Sequence, residues 1–232
     1  MQETAAAVIV AAGSSQRMEG RDKLWTPLAG RFTLAYTLDT FVASPLISTI
    51  ILVLNPARLE DARTLCLAED WPKIASIIPG GTRRQDSVRA GLDQLARIAP
   101  ETRWVMIHDG ARPLVTSALL EAGLQAAQVH QAAVAAVPVK DTIKQAQEGI
   151  IQTTLERSQL WAVQTPQVFA FPLIYQAHHS PLAQDEATDD AALLERLGHP
   201  VAIFPGSYTN LKITTQEDLL IAEALIQEWQ HS

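Results

Sequence analysis

An α/β fold built on a mostly parallel, doubly wound sheet with a protruding β-arm is what this sequence predicts, and three observations carry the expectation. From Ala5 to Val139, strand-like apolar runs alternate with helix-spaced patterns, the signature of a sheet covered by helices on both faces. The opening run, Ala5-Ala6-Ala7-Val8-Ile9-Val10-Ala11, is continuously apolar, as in a parallel strand buried on both sides. The alternation breaks once, where two strand-like stretches, Lys140 to Gln145 and Ile150 to Leu155, flank Gln147-Glu148-Gly149. That pattern reads as a two-stranded excursion.

Taken in order, the first strand leads into Ala11-Ala12-Gly13-Ser14-Ser15, where side chains shrink and backbone amides can turn inward on an anion. Leu34, Leu38 and Phe41-Val42 mark a helix, and Ile50 to Leu54 the next buried strand, closed by Asn55-Pro56. Arg58 to Leu67 is predicted helical, Ile74 to Ile78 a strand, and Gly80-Gly81 a break before a helix carrying Val88, Leu92 and Leu95. Trp104 to Ile107 is a strand ending on His108-Asp109, Leu119 to Val129 a helix, and Ala132 to Val139 a further strand. The arm, at about 138–160, is followed by Thr165-Pro166-Gln167, after which helical patterns resume, including Asp189 to Leu197. A late strand is read at Val201 to Phe204, and Thr214-Thr215-Gln216-Glu217 caps a last amphipathic helix. The 232 residues fit one domain, 1–232, with the arm as its excursion.

Composition narrows the function. A net charge of −7 argues against a nucleic-acid or anionic-membrane surface, which relies on summed positive field. More than half of the 18 lysines and arginines nevertheless fall in or beside the polar motifs, a local basic focus suited to small anionic substrates. The single cysteine, Cys66, excludes an internal disulfide and fits a reducing compartment, where it reads as a small buried hydrophobe. No apolar run reaches membrane-spanning length, and the chain enters its first strand at once, with no room for a signal segment. A soluble, cytoplasmic protein is expected.

Each polar motif admits a bland and a chemical reading. The loop after the first strand, followed by Arg17 and Lys23, suits a triphosphate but equally a plain chain reversal. It has neither the Gly-Lys-Ser/Thr ending of a P-loop nor the three glycines of a dinucleotide site. Gly80-Gly81-Thr82-Arg83-Arg84-Gln85-Asp86-Ser87 puts arginines at a helix start, against the helix dipole, which favours an anion there. Asp109, at the end of a buried strand, needs a partner. Mg²⁺ bridging phosphates and a salt bridge to Arg112 both remain open. His108 reads as a packed strand-end residue, and His178-His179 as a solvated pair. Lys212 alternates with Leu211 and Ile213, so it should point away from their buried side, towards a cleft.

In company these motifs resemble a known family. Ala11-Ala12-Gly13 through Arg17-Met18, Lys23, Gly80-Gly81 with Asp86-Ser87-Val88, and His108 to Pro113 come first. Asp141 to Lys144, Arg157 with Leu160-Trp161, Thr165-Pro166-Gln167, Thr188-Asp189-Asp190 and Asn210-Leu211-Lys212 follow in the same order as in the 2-C-methyl-D-erythritol 4-phosphate cytidylyltransferases. The likeness covers essentially the whole chain, and implies a Rossmann-like sheet of the nucleotidyltransferase type. It also implies transfer of the cytidylyl group of CTP to a polyol phosphate with release of pyrophosphate.

By the same resemblance, Ala11, Ala12, Gly13, Gly81, Thr82 and Ser87 would form the nucleotide cradle, and Asp109 would hold Mg²⁺ or another divalent cation. Arg17, Lys23 and Lys212 would surround the α-phosphate as the catalytic group. Arg112, Thr142, Arg157 and Thr188 would contact the polyol phosphate, with Thr142 and Arg157 reaching over from the arm of a second copy. A homodimer through the arm is the corresponding expectation, since an isolated hairpin is marginal in water. The sequence departs from the family pattern at Thr82, where an acidic residue is common, at Gly110, where alanine is common, and in a short spacing from Met18 to Lys23. Two other identities share much of this pattern: a sister cytidylyltransferase acting on another polyol phosphate such as ribitol 5-phosphate, and a non-catalytic nucleotide-binding relative.

Overall fold

The computed structural model describes residues 3–13 and 22–230. Its elements in chain order begin with β1 (Ala5–Ala11), β2 (Pro27–Leu28), β3 (Arg31–Phe32), α1 (Thr33–Ala43), β4 (Ile47–Leu54), α2 (Leu59–Ala68), β5 (Ile74–Pro79), α3 (Arg84–Ile98) and β6 (Trp104–Asp109). They continue with α4 (Ser117–His130), β7 (Ala132–Pro138), β8 (Lys144–Gln147), β9 (Ile150–Thr154), β10 (Trp161–Ala170), α5 (Phe171–His178), α6 (Ala191–Arg196), β11 (Ala202–Pro205) and α7 (Gln216–Gln230). Seven strands form the central sheet in the order β11-β7-β10-β6-β1-β4-β5. β1 pairs in parallel with β4 on one side and β6 on the other, Val10 standing opposite Val53 and Asp109. The strand order reverses between β1 and β6, and in such sheets ligands collect in the crevice beyond the carboxyl ends at that point.

The all-apolar first strand does serve two cores. Ala5, Ala7, Ile9 and Ala11 face a cluster built from α1 and α4, with Leu38, Phe41, Leu120 and Leu124. Ala6, Val8 and Val10 face a second cluster built from α3, α5 and α6, with Leu92, Leu95, Ile174 and Leu194. A side-chain period of two in a strand covered on both faces leaves no polar position, which explains the composition.

Helix α3 lies close on this strand. A Cβ placed at Gly91 would sit 2.4 Å from Val8 Cγ1 and 3.1 Å from Val53 Cγ2, both on buried β-branched side chains. In a helix interior Gly→Ala normally stabilises by about 1 kcal/mol. Here overpacking costs roughly 1–3 kcal/mol, so Gly91→Ala is expected to lower the thermal midpoint. A midpoint at or above that of the wild type would show that the contact yields.

Two sequence expectations are corrected here. Thr165-Pro166-Gln167, which the sequence places between the arm and the returning helical patterns, lies inside β10, a strand antiparallel to β6 and β7 on either side. The pairing of β10 with β7 is irregular between Val163 and Gln167, which accommodates a proline in a central strand. In addition, the cap of α7 is reciprocated by Asp218 rather than by Glu217. Its Oδ2 accepts from the backbone of Thr214 and Thr215 at 2.7 and 2.8 Å, and its own N–H donates to Thr215 Oγ1 at 3.3 Å.

The arm is as expected a separate two-stranded unit, β8 with β9, outside the main sheet. Glu148 and Gly149 both have positive φ, +51° and +80°, the backbone that a tight hairpin turn requires. All nine strand residues are exposed, Ile150 at 67 % and Ile151 at 60 %.

Candidate functional site

The carboxyl ends of β1, β5 and β6 converge on a cavity of about 280 Å³ lined by Ala11, Ala12, Gly13, Lys23, Gly81, Thr82, Arg84, Ser87, Asp109 and Lys212, among others. Backbone bonds hold its rim. Gly80 N–H donates to Leu54 O at 2.8 Å, and Gly110 N–H to Val10 O at 2.9 Å, tying each loop to the neighbouring strand. A Cβ at Gly80 would stand 2.3 Å from Ala12 Cβ, so only glycine lets the two small-residue loops approach this closely. Gly81 N–H donates to Ser87 Oγ at 3.1 Å, so Ser87 fixes the loop from the first turn of α3.

The sequence-predicted nucleotide residues Ala11, Ala12, Gly13, Gly81, Thr82, Ser87 and Asp109 are therefore brought together, with Lys23 and Lys212 beside them. Lys23 reaches the cavity despite the short preceding segment. Arg17 lies outside the described residues.

A second cavity, of about 390 Å³, lies on the other side of Asp109. It is lined by Arg84, Asp109, Arg112, Trp161, Gln164, Thr165, Gln167, Thr188, Asp189 and Lys212, among others. The two cavities share Arg84, Asp109 and Lys212. Of the four residues expected at the polyol phosphate, Arg112 and Thr188 line this cavity, and Thr142 and Arg157 do not. Arg157 stays at the base of the arm, its Nη1 donating to Lys140 O at 2.8 Å, and Thr142 is exposed.

Asp109 is the electrostatic centre. Lys212 Nζ is 2.7 Å from its Oδ2, Arg84 Nε is 3.0 Å from its Oδ1, and Arg112 Nε is 3.9 Å from Oδ2. Burial alone would raise this carboxyl, but Arg84, Lys212 and Arg112 outweigh it and hold it well below the usual carboxylate range. Arg112, one of the two partners left open by the sequence, is thus the most distant of the three cations. Its guanidinium is committed to Asn210 O at 2.7 Å instead.

Lys212 is aimed by its neighbours. Ile213 is fully buried and its N–H donates to Ala111 O at 2.8 Å, while Asn210 Nδ2 donates to Thr165 O at 2.9 Å. The loop carrying Lys212 is thereby tied both to the turn after β6 and to β10.

His108 is fully buried and acts as an internal brace. Thr165 Oγ1 accepts from the Asp109 N–H at 3.0 Å and lies 3.1 Å from His108 Nδ1. His108 Nε2 lies 3.3 Å from Arg112 O. A neutral imidazole with its proton on Nε2 satisfies both contacts. Burial lowers its pKa to about 3. A histidine depressed in the folded state contributes its full share of stability above its unfolded pKa of about 6.5, and loses it as pH falls towards 3. Unfolding free energy is therefore expected to drop by about 2 kcal/mol from this residue between pH 7 and pH 5. Urea titrations of wild type and His108→Gln would check it, and parallel pH curves would refute the assignment.

Two further corrections concern charge. The arginines at the start of α3 do not await an anion, because protein carboxylates already face them. Arg83 pairs with Asp86 at 2.8 Å, and Arg84 with Asp109 and with Asp190, the latter at 2.8 Å. The His178-His179 pair is not solvated as a pair. His178 is 1 % exposed with Nε2 3.1 Å from Asp190 Oδ1, and only His179 is partly exposed, 2.9 Å from Asp93. Arg84 is the site residue that sequence reading left in the background. Its signal, a cation set against a helix dipole, was present but pointed to a ligand rather than to two distant aspartates. Cys66 is a partly buried free thiol, pushed up to about 11 by burial.

Among the described residues no helix is long and apolar enough to cross a membrane. The sequence profile of 2-C-methyl-D-erythritol 4-phosphate cytidylyltransferase matches residues 5–228. A protein of that name from Dehalococcoides mccartyi (strain CBDB1) is 47 % identical over 229 residues, 98 % of each chain. One from Pelotomaculum thermopropionicum is 45 % identical over 97 % of this chain and 95 % of its own. The crystal structure of 4-diphosphocytidyl-2C-methyl-D-erythritol synthase from Anaerococcus prevotii DSM 20548 superposes with a TM-score of 0.85 at 33 % identity, covering 97 % of this chain and 96 % of that one. Matched almost end to end in sequence and in fold, the chain belongs to the 2-C-methyl-D-erythritol 4-phosphate cytidylyltransferase family.

Proposed function

We propose that this chain, a cytidylyltransferase by family, transfers the cytidylyl group of CTP to 2-C-methyl-D-erythritol 4-phosphate, giving 4-diphosphocytidyl-2-C-methyl-D-erythritol and pyrophosphate. The observation that carries the reading is the pair of cavities meeting at Arg84, Asp109 and Lys212. A nucleotide fits the first, among backbone amides and small side chains, and a second anion fits the other, beside Arg112 and Thr188. The two substrates would meet at the shared cationic wall.

An oxygen of the acceptor phosphate attacks the α-phosphorus of CTP in line with the leaving group. The new P–O bond forms as the bond to the β-phosphate oxygen breaks, and pyrophosphate leaves with that electron pair. The nucleophile is already ionised, so no general base is needed, and His108, neutral and enclosed, is not one. The protein's contribution is positioning and charge. Lys23 and Lys212, with Arg17, stabilise the charge that grows on the phosphate oxygens.

The donor set at Asp109 suits Mg²⁺ or another divalent cation. The carboxylate is held ionised at the cavity wall, and among the described residues no cluster of three His, Cys, Asp or Glu offers a self-sufficient metal site. One carboxylate completed by phosphate oxygens and water is a usual magnesium arrangement. Held there by Asp109, the cation would offset the negative charge of the phosphates.

The dimer belongs to the same reading. The exposed Ile150, Ile151, Leu155 and Trp161 give the arm an apolar surface to bury against a second copy. Thr142 and Arg157 of one chain would then complete the acceptor cavity of the other. The net charge of −7 disfavours a nucleic-acid or anionic-membrane surface, and small phosphorylated substrates suit a cytoplasmic enzyme.

Pyrophosphate release from CTP and Mg²⁺, with 2-C-methyl-D-erythritol 4-phosphate and ribitol 5-phosphate offered separately, tests the reading. Turnover selective for the first is expected. Selectivity for the second would assign another acceptor, and silence with both would refute catalysis. Arg157→Ala is expected to raise the KM for the acceptor about tenfold or more, the scale of a lost charge-assisted contact, with CTP affinity by calorimetry unchanged. Equal loss on both substrates would remove Arg157 from the acceptor site.

A further inference from the structure

We propose that Asp190, acting through Arg84, positions the Asp109 carboxylate for the transfer, and that His178 holds Asp190 in turn. The basis is a run of bonded charges leading from the site into the interior. Arg84 Nε donates to Asp109 Oδ1 at 3.0 Å, and Arg84 Nη1 to Asp190 Oδ2 at 2.8 Å. The other oxygen of Asp190 lies 3.1 Å from His178 Nε2, and its backbone N–H donates to Gln167 Oε1 at 3.2 Å. Asp190 and His178 are each 1 % exposed, and neither is among the residues lining the two cavities that meet at Asp109. Both act, if at all, through Arg84.

The geometry of guanidinium gives the arrangement its purpose. It is a planar fork that, left alone with one carboxylate, closes on both oxygens at once. Such a pairing at Asp109 would compete for Oδ2, the oxygen that Lys212 reaches at 2.7 Å. With Nη1 held by Asp190 Oδ2, the plane of the Arg84 guanidinium is set by two carboxylates, and its Nε meets Asp109 at Oδ1. Asp190 thus helps to hold Arg84 on Oδ1, while Oδ2 is bonded by Lys212. His178 fixes the plane of Asp190, so the direction of that restraint is set from the core, by α5.

This inference rests on the reading of Asp109 and Lys212 as the reaction centre. The near-isosteric Asp190→Asn keeps an acceptor for Arg84 but removes the charge that competes for it. In the full chain, kcat is expected to fall about tenfold, the scale of one coupled contact, with the KM for CTP within about threefold if backbone groups bind the nucleotide as proposed. Arg84→Lys, which cannot span two carboxylates, should show the same split, and Asp190→Asn added in the Arg84→Lys background should cost less than about twofold more. A merely structural Asp190 would instead lose the full factor in either background. Should Asp190→Asn not fold, Asp190→Glu keeps the charge, displaces it by one methylene and is expected to show the same fall in kcat. A kcat within twofold of wild type, or a full loss that persists in the Arg84→Lys background, overturns the proposal while wild-type turnover leaves the assigned reaction standing. An inactive wild type would instead sink the reaction itself.

Discussion

Replacing Lys212 with alanine is expected to lower kcat about 10²- to 10³-fold, the effect of removing one preorganised donor from a site of developing charge. Its ammonium bonds Asp109 yet remains 37 % exposed on the wall common to both cavities. Substrate phosphate can therefore draw it partly off Asp109 without a backbone movement, because Asn210 and Ile213 hold the loop. Removing the side chain leaves Asp109 its bond from Arg84, so the chain should fold and still bind CTP. Single-turnover kinetics would check this, and a variant within tenfold of wild type would show that the residue is misassigned. Lys212→Arg is not expected to restore the rate, since a fork closes on a carboxylate where a point charge can be shared.

Asp109→Asn is expected to cost both activity and about 3 kcal/mol or more of stability, the effect of removing one partner from a buried ion pair. It leaves Lys212 and Arg112 facing each other over a neutral amide, and leaves Arg84 with Asp190 alone. For a domain of this size that corresponds to a thermal midpoint lower by roughly 6–12 °C. Activity should fall to background, and added Mg²⁺ with CTP should no longer raise the midpoint. An unchanged midpoint would mean that the three cations do not depend on this carboxylate.

How much of this was legible in the sequence follows from where the information is local. β1 was readable because burial on both faces leaves only apolar residues, and the loops around the first cavity because the close approach of Gly80 to Ala12 demands small side chains. β10 was not. Gln164, Thr165 and Gln167 are polar because they line a site, and Pro166 occupies an irregularity in the ladder. A strand composed for a site, rather than for a core, loses the alternation by which strands are recognised. His178 and Asp190 were missed for a related reason. Their pairing joins the end of α5 to the loop before α6 and reaches an arginine 106 positions earlier in the chain. No spacing rule announces such a contact. Arg112 shows the limit of proximity in sequence: the pairing with Asp109 that it suggested is present at 3.9 Å, but two distant cations come closer.

The course of β10 also bears on how this chain can change length over evolutionary time. One continuous strand emerges from the arm at Trp161 and ends at Ala170 between β6 and β7, carrying Thr165 to His108 on the way. Inserting or deleting a single residue between Trp161 and Thr165 would turn Thr165 and Gln167 to the opposite side of the sheet. It would separate Asp109 and Asn210 from their shared anchor. Within one chain the tip of the arm at Glu148-Gly149 carries no such constraint, since among the described residues β8 and β9 form a sheet of their own. Indels are therefore tolerable at the far end of the hairpin and lethal at its returning root. A library of one-residue insertions along 144–165, selected for activity, should survive at the tip and be lost at the root.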